Sequence, residues 1–296
     1  MVYSMATITY PAPADTLPRR PWSARLTTPQ VWGVVMIAPY LLVFAAFVVY
    51  PIGYGLWLAR HPASYVALYN DPVFARAVVN TLIFLIIGIN LKMLVALFLS
   101  GFFVQSRTWI RWLSVLFILP WAVPSIPTIL SVRFMFNPEW GVINNLIFKF
   151  TGEDGPNWLN DPAMGLTLAI LVHIWKSLPF WTLILMTGRL AISTDMFEAA
   201  DVDGASWWQK FRFITWPSMQ TLYLTCTLLS MIWTLGDFNS VYLLTGGGPA
   251  DLTHVLATLG IRYLRLEQLS LAMASIVCAL PFVLPLVYFM MKRLSR

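Results

Sequence analysis

Charge is what this sequence lacks first. Of 296 residues only 11% are Asp, Glu, Lys or Arg, where a soluble domain carries about 25%. So few charges cannot coat a soluble surface of this size, which excludes an ordinary cytosolic enzyme, a disordered chain and a nucleic-acid binder. Cysteine is scarce too: Cys226 and Cys278 both lie inside apolar runs, so neither a disulfide framework nor a thiolate metal site is expected. The three histidines, His61, His173 and His254, have no ligand partner at helical spacing, so no metal site is expected. No G-x-x-x-x-G-K-[ST] loop occurs, and no lysine follows a glycine-rich turn, so the chain should not hydrolyse ATP itself. There is no G-x-S-x-G elbow, and Asp237 is the only acid inside an apolar run, which leaves no constellation for an intramembrane protease.

What is present is apolar residue, 58% of the chain. It is gathered into six runs, about 31–58, 77–104, 110–135, 164–188, 219–243 and 269–291. Each is long enough for a helix to cross roughly 30 Å of hydrocarbon, and none alternates as a membrane strand does. The expectation is an all-α membrane protein with six transmembrane helices in a domain spanning residues 31–294. Residues 1–30 are polar and proline-rich and read as a mobile cytoplasmic tail ending in Arg19, Arg20 and Arg25. The net charge of +6 is a topology signal, because the basic residues punctuate the runs. With both termini inside, eleven Lys and Arg fall on the cytoplasmic side against six outside, and the acidic 137–163 loop lies outside; this favours N-in, C-in. Three prolines between Pro120 and Pro127 predict a bent third span.

Lys92, Lys176 and Asp237 interrupt apolar runs, and each costs about 2.5–3.5 kcal/mol at the centre of a membrane helix. They are expected to face the bundle interior or water, with Lys176 a candidate partner of Asp237. Trp233, Asp237, Asn239 and Tyr242 combine aromatic faces with hydroxyl-bonding groups, as a sugar pathway requires, although Trp233 and Tyr242 suit packing or an interfacial belt equally well.

The segment 191–217 is longer than a turn between spans needs, and it is patterned. Asp195 and Glu198 resemble a capping box, Gly204 permits a sharp break, and Trp207, Trp208, Phe211 and Ile214 make an apolar stripe before Pro217 ends the helix. Such a helix–turn–helix buries its apolar face either in the membrane surface or in a partner's groove.

The spacing Glu198-Ala199-Ala200, Gly204, Ile214, Pro217 resembles the EAA loop of the permease subunits of binding-protein-dependent ABC importers. Glu198–Ala205, Trp175-Lys176-Ser177-Leu178-Pro179-Phe180, Leu244-Thr245-Gly246-Gly247-Gly248-Pro249, Asn80-Thr81 and Leu119-Pro120 are similar to the carbohydrate branch, the maltose and glycerol-3-phosphate type. Trp216 departs from the family's usual leucine, and the 59–76 segment is short. The resemblance implies a type I importer permease fold in the bacterial inner membrane, with a coupling helix in which Phe197, Glu198, Ala199, Ala200, Asp203 and Gly204 meet an ATPase. It also implies a second related permease chain, two copies of an ATP-binding subunit that holds ATP and magnesium, surrounding lipid, and an external sugar-binding protein. No cofactor and no catalytic residue are implied for this chain. The alternative from another class is a secondary transporter driven by an ion gradient, for which a single intramembrane acid is thin support.

Overall fold

The computed structural model describes residues 28–105 and 107–294, and the described residues contain helices and no strand. Residues 1–27 of the expected tail, with Arg19, Arg20 and Arg25, lie outside the described residues, as does Arg296. By contacts the chain divides into a unit ending at Tyr54 and a second from Gly55 onward.

The first unit is dominated by α1 (Thr28–Phe44), which passes through a π-helical turn at Ala45–Val49 into α2 (Tyr50–Leu58). Pro51 has no N–H for the Phe47 carbonyl, and the wider turn, with Tyr50 N–H reaching back to Ala45 O, absorbs the mismatch. The same device recurs later. A π-helical turn at Phe211–Thr215 joins α10 (Trp207–Lys210) to α11 (Trp216–Leu235), with Trp216 N–H on Phe211 O and Pro217 next in line. Pro217 therefore does not end the helix there, as its residue type predicts; the chain runs on through it.

In the second unit, α3 (Pro62–Tyr69) precedes α4 (Pro72–Phe103), and α4 and α8 (Pro162–Leu190) form the centre. Both long helices start at an Asp-Pro pair. The Asp71 and Asp161 carboxylates accept the Val73 and Met164 N–H groups, and the prolines take the position where no N–H is needed. These caps set the starts ahead of the apolar runs, at Pro72 against 77 for α4 and at Pro162 against 164 for α8. Fully buried Ala77, Ala96 and Ala169 let α4 and α8 approach their neighbours closely. Three apolar clusters share α4: Phe84 with α8 residues such as Leu168, Leu85 and Met93 with Trp181 and Met219, and Ala77 with Leu259 and Tyr263.

Pro29–Leu58, Pro72–Phe103 and Pro162–Leu190 are long and apolar enough to cross a membrane. The third predicted run is instead α5 (Thr108–Ala122) and α6 (Ser125–Met135), bent by 95°. Taken as one broken span, the pair makes a fourth. The fifth run divides into α11 and α12 (Asn239–Thr245), and the sixth into α14 (Leu269–Val277) and α15 (Leu280–Leu294). Two segments read as loops carry helices, α7 (Val142–Thr151) and α13 (Leu256–Arg265). Buried Asn144 holds the first in place by donating to Pro138 O and Pro156 O while accepting from Trp158 Nε1 at 2.7 Å.

The Asn80-Thr81 pair ties α4 to the exit of the glycine-rich loop. Asn80 Nδ2 donates to Leu252 O and His254 O, and Thr81 Oγ1 accepts from Leu256 N–H at 2.9 Å. In that loop Gly247 sits at φ +93° against the His254 ring, where a Cβ would collide. The Gly248–Pro249 peptide is cis.

Candidate functional site

The α5–α6 break is the first wall of the site. Pro124 supplies no N–H to Pro120 O, and Pro127 supplies none to Val123 O, so two carbonyls three residues apart lose their helical donors. Val123, ahead of a proline, is extended at ψ 139°. Lys176 Nζ, from the middle of α8, donates to both stranded carbonyls, at 2.9 Å and 2.7 Å. An ammonium with three donors suits this task. Lys176 is therefore not the partner of Asp237, as the two charges had suggested; its partners are backbone.

Asp237 stands in the break between α11 and α12. Its Oδ2 accepts from Ser240 Oγ at 2.5 Å and its Oδ1 from Ser240 N–H at 3.1 Å. Its ionisable partner is His173, whose Nδ1 lies 2.5 Å from Oδ2. The other ring nitrogen, Nε2, is 2.9 Å from Lys92 Nζ, and Thr234 Oγ1 is 3.2 Å from it. Phe84 closes edge-on over the imidazole. Three ionisable groups from three stretches of chain thus satisfy one another where hydrocarbon would otherwise surround them.

These walls enclose a cavity of about 270 Å³. Part of the lining is aromatic: Trp121 stacks on Phe180 at 5.5 Å, and Trp233 packs on Phe180 and Trp181. The lining also offers Ser125, Ser177, Asp237, Asn239 and Ser240. Of the four residues proposed for a pathway, the fold brings Trp233, Asp237 and Asn239 together here. Tyr242 does not line this cavity. It stacks on Phe238 at 4.4 Å, hydrogen-bonds with Arg265 and lines a second recess with Asp251, His254 and Arg262. There burial pushes the Asp251 carboxyl up, but Arg262, donating from Nε at 2.8 Å, and His254 together outweigh it and hold the group below the usual carboxylate range. Sequence reasoning missed His173, Trp121 and Ser125. The available signal was three ionisable residues, Lys92, His173 and Asp237, in three separate apolar runs.

The 191–217 elbow is built differently. Its first helix, α9 (Thr194–Val202), is capped by Ser193, whose Oγ accepts the Asp195 N–H; Asp195 itself lies inside the first turn and does not form the expected capping box. The helix ends in a Schellman motif. Gly204 N–H reaches Asp201 O, Ala205 N–H reaches Ala200 O, and Gly204 takes φ +70°. A Cβ on Gly204 would meet nothing, so only the backbone angle demands glycine. Ser206 and Gln209 form a reciprocal capping box for α10, and Lys210 pairs with Asp201 across the elbow. Glu198, Ala199, Asp203 and Gly204 are exposed, Phe197 and Ala200 half-buried, and Val202 is 89% exposed. Of the aromatic stripe, Phe211 turns inward to stack on Phe98 of α4, whereas Trp207 and Trp208 face outward.

Among the described residues no group of three or more His, Cys, Asp or Glu side chains is placed to hold a metal ion.

The comparisons with known proteins agree with one another. Residues 92–296 match the family model described as binding-protein-dependent transport system inner membrane component. The trehalose/maltose transport system permease protein MalF of Thermococcus litoralis is 28% identical over 89% of this chain and 94% of its own. The sulfoquinovosyl glycerol transport system permease protein SmoG of Agrobacterium fabrum is 29% identical over 77% of this chain and 78% of its own. The crystal structure of a bacterial ABC transporter involved in the import of the acidic polysaccharide alginate contains a chain of the same fold. Its TM-score is 0.75 at 23% identity, covering 90% of this chain and 96% of that one. This protein belongs to the family of inner-membrane components of binding-protein-dependent transport systems, multi-pass permease subunits that are not themselves enzymes.

Proposed function

We propose that this chain is the transmembrane subunit of an ATP-driven importer that passes a sugar or related polyol into the cytoplasm. The observation that carries the sugar reading is the cavity, lined by Trp121, Phe180 and Trp233 together with Ser125, Asp237 and Asn239. Aromatic faces take the apolar C–H faces of a sugar ring, while carboxylate, amide and hydroxyl groups take its hydroxyls. Relatives whose names specify trehalose, maltose and a sulfoquinovosyl glycerol support the same class.

The rest of the assembly follows from the exposed elbow. Phe197–Gly204 docks in the cleft of an ATP-binding subunit. Glu198 supplies a charge-assisted contact, Ala199 and Ala200 allow close approach, and Asp203 and Gly204 form the turn. That subunit holds ATP and magnesium. A second, related permease chain completes the pore, with one ATP-binding subunit under each. The six helical runs cross the membrane with both termini inside. An external binding protein delivers the sugar at the 137–163 and 244–268 segments, in keeping with the alginate importer crystallised with its periplasmic protein.

The test is uptake of labelled maltose, trehalose and sorbitol by vesicles carrying the assembled subunits and the binding protein. Uptake should require ATP inside the cytoplasmic face and persist when an ionophore removes the proton gradient. Uptake that stops with the ionophore while ATP is maintained would assign the chain to gradient-driven transport instead.

A further inference from the structure

Lys92 has no place in the pathway as described. It does not line the cavity, it is 1% exposed, and it carries a full charge into the apolar centre of the bundle. Its position in the hydrogen-bond order explains why it is there. The Asp237 carboxylate accepts from Ser240 Oγ and Ser240 N–H, the bonds of an ionised group, and its third contact is His173 Nδ1. A carboxylate only accepts, so the proton between His173 and Asp237 sits on Nδ1. The neutral ring then has a bare Nε2, which needs a donor. Thr234 Oγ1 gives its proton to Ser230 O at 2.7 Å, so the donor to Nε2 is Lys92, at 2.9 Å. A second proton on His173 would point an N–H at an ammonium, donor against donor, across that same distance.

We propose that Lys92 is a positioning residue of the sugar path: through His173 it holds Asp237 as a fixed, ionised acceptor at the cavity wall. The inference rests on the reading of that cavity as the path. The carboxylate is 16% exposed, enough to present an edge to a sugar hydroxyl, while its orientation is set from behind. The charged and titratable groups around His173 are few. α4 contributes Lys92, the α11–α12 break contributes Asp237, and α8 itself contributes Lys176 one turn on, already engaged by two carbonyls. The cavity-lining residues of α5 and α6, Trp121, Ser125 and Ile129, carry no charge. With the Lys92 ammonium present, the row Lys92–His173–Asp237 is neutral overall, and a second proton on His173 would make it cationic. With Lys92 neutralised, the row is anionic, and a proton on His173 restores neutrality.

Nitrogen-15 NMR of the histidine-labelled full chain in lipid nanodiscs reads this directly, with the His173 signal identified by its absence in His173→Gln. The native chain should show a protonated Nδ1 and a bare Nε2 from about pH 5 to about pH 8. Lys92→Gln keeps a donor and removes the charge; its His173 should keep the same tautomer at the upper end of that range and take up a second proton at the lower end. Lys92→Met with Asp237→Asn is the charge-neutral control for insertion, and its His173 should not gain a proton across the range as Lys92→Gln does. In the assembled transporter, the KM for maltose, or for trehalose if that is the better substrate, should be flat with pH in the native protein. In Lys92→Gln it should match the native value at the acidic end, where a second proton on His173 restores the counter-charge behind Asp237, and rise about tenfold at the alkaline end, the worth of one charge-assisted hydrogen bond. A native His173 protonated on Nε2, or a Lys92→Gln spectrum unchanged with pH, overturns the proposal. So does the expected spectrum with a pH-independent KM, which would leave Lys92 a structural residue only. If Asp237→Asn also leaves uptake untouched, the failure lies in the reading of the cavity as the path.

Discussion

The bundle interior and the 191–217 elbow handle polar and apolar groups in opposite ways. Inside, three ionisable side chains and two proline-stranded carbonyls are matched donor to acceptor over sequence separations of 53 to 142 residues. In the elbow the cap and turn bonds are local, from Ser193 to Asp195, from Asp201 to Gly204 and from Ser206 to Gln209, and apolar Val202, Trp207 and Trp208 are left exposed. A local scaffold of this kind sets the shape of α9 and its turn by its own bonds, while Phe211 anchors the elbow to α4. That is what a rigid part needs if a partner is to push on it, and the exposed side chains are what a partner would bury.

This contrast can be broken most sharply from within. Lys92→Met strips the buried Asp237–His173 pair of its counter-charge and should cost about 3–5 kcal/mol in thermal unfolding of the detergent-solubilised chain. Adding Asp237→Asn should recover most of that. Equal melting of the single and double variants would show that charge balance is not what holds the three stretches together. Lys176→Met should cost about 1–3 kcal/mol, because the stranded carbonyls are left to whatever water the cavity admits, and Lys176→Arg should recover part of it.

In the elbow the order of effects reverses. Gly204→Val forces a side chain into a left-handed backbone at roughly 1–2 kcal/mol, locally, with the bundle's melting unmoved. Yet Gly204→Val and Glu198→Lys should each abolish ATP-driven uptake while the ATPase still turns over. Normal transport by both variants would remove the coupling assignment. Lys210→Ala breaks an ion pair whose acid is 64% exposed, and should move the melting temperature by no more than about 1 kcal/mol's worth.

The smallest effect concerns acid. Asp251 is held below its ordinary range, so its contribution is present above about pH 4 and is lost as pH falls through the lower native value. Arg262→Met, which removes the larger of the two partners and leaves His254, should weaken that acid dependence, read as protease susceptibility of the 244–268 segment.

Local chemistry was legible in the sequence and long-range pairing was not. The apolar runs, each interrupted by a single lysine, marked the extents of α4 and α8 to within a few residues, because burial in lipid demands them; only the Asp-Pro caps shifted the starts. Gly204 and its surroundings announced the elbow, since a left-handed residue between two caps is a local requirement. The pairing of Asp237 was assigned to Lys176 on charge alone. The fold decided otherwise, because backbone acceptors created by Pro124 and Pro127 compete for that ammonium. Those acceptors were countable in advance, each proline lying four residues after the carbonyl it strands. Tyr242 was grouped with Asp237 and Asn239 as if one straight helix carried all three. The break at Gly236–Phe238 turns α12 and sends the phenol to a different recess.

The bend between α5 and α6 also limits how this molecule can move. An ordinary helical kink can straighten, because the amide protons it loses are still there to return. At Pro120 O and Val123 O no such proton exists, so straightening would regain nothing for either carbonyl and would take both away from Lys176. The corner is welded rather than hinged. It travels as one piece with α8, and any alternation between inward and outward access has to be carried by joints elsewhere in the chain.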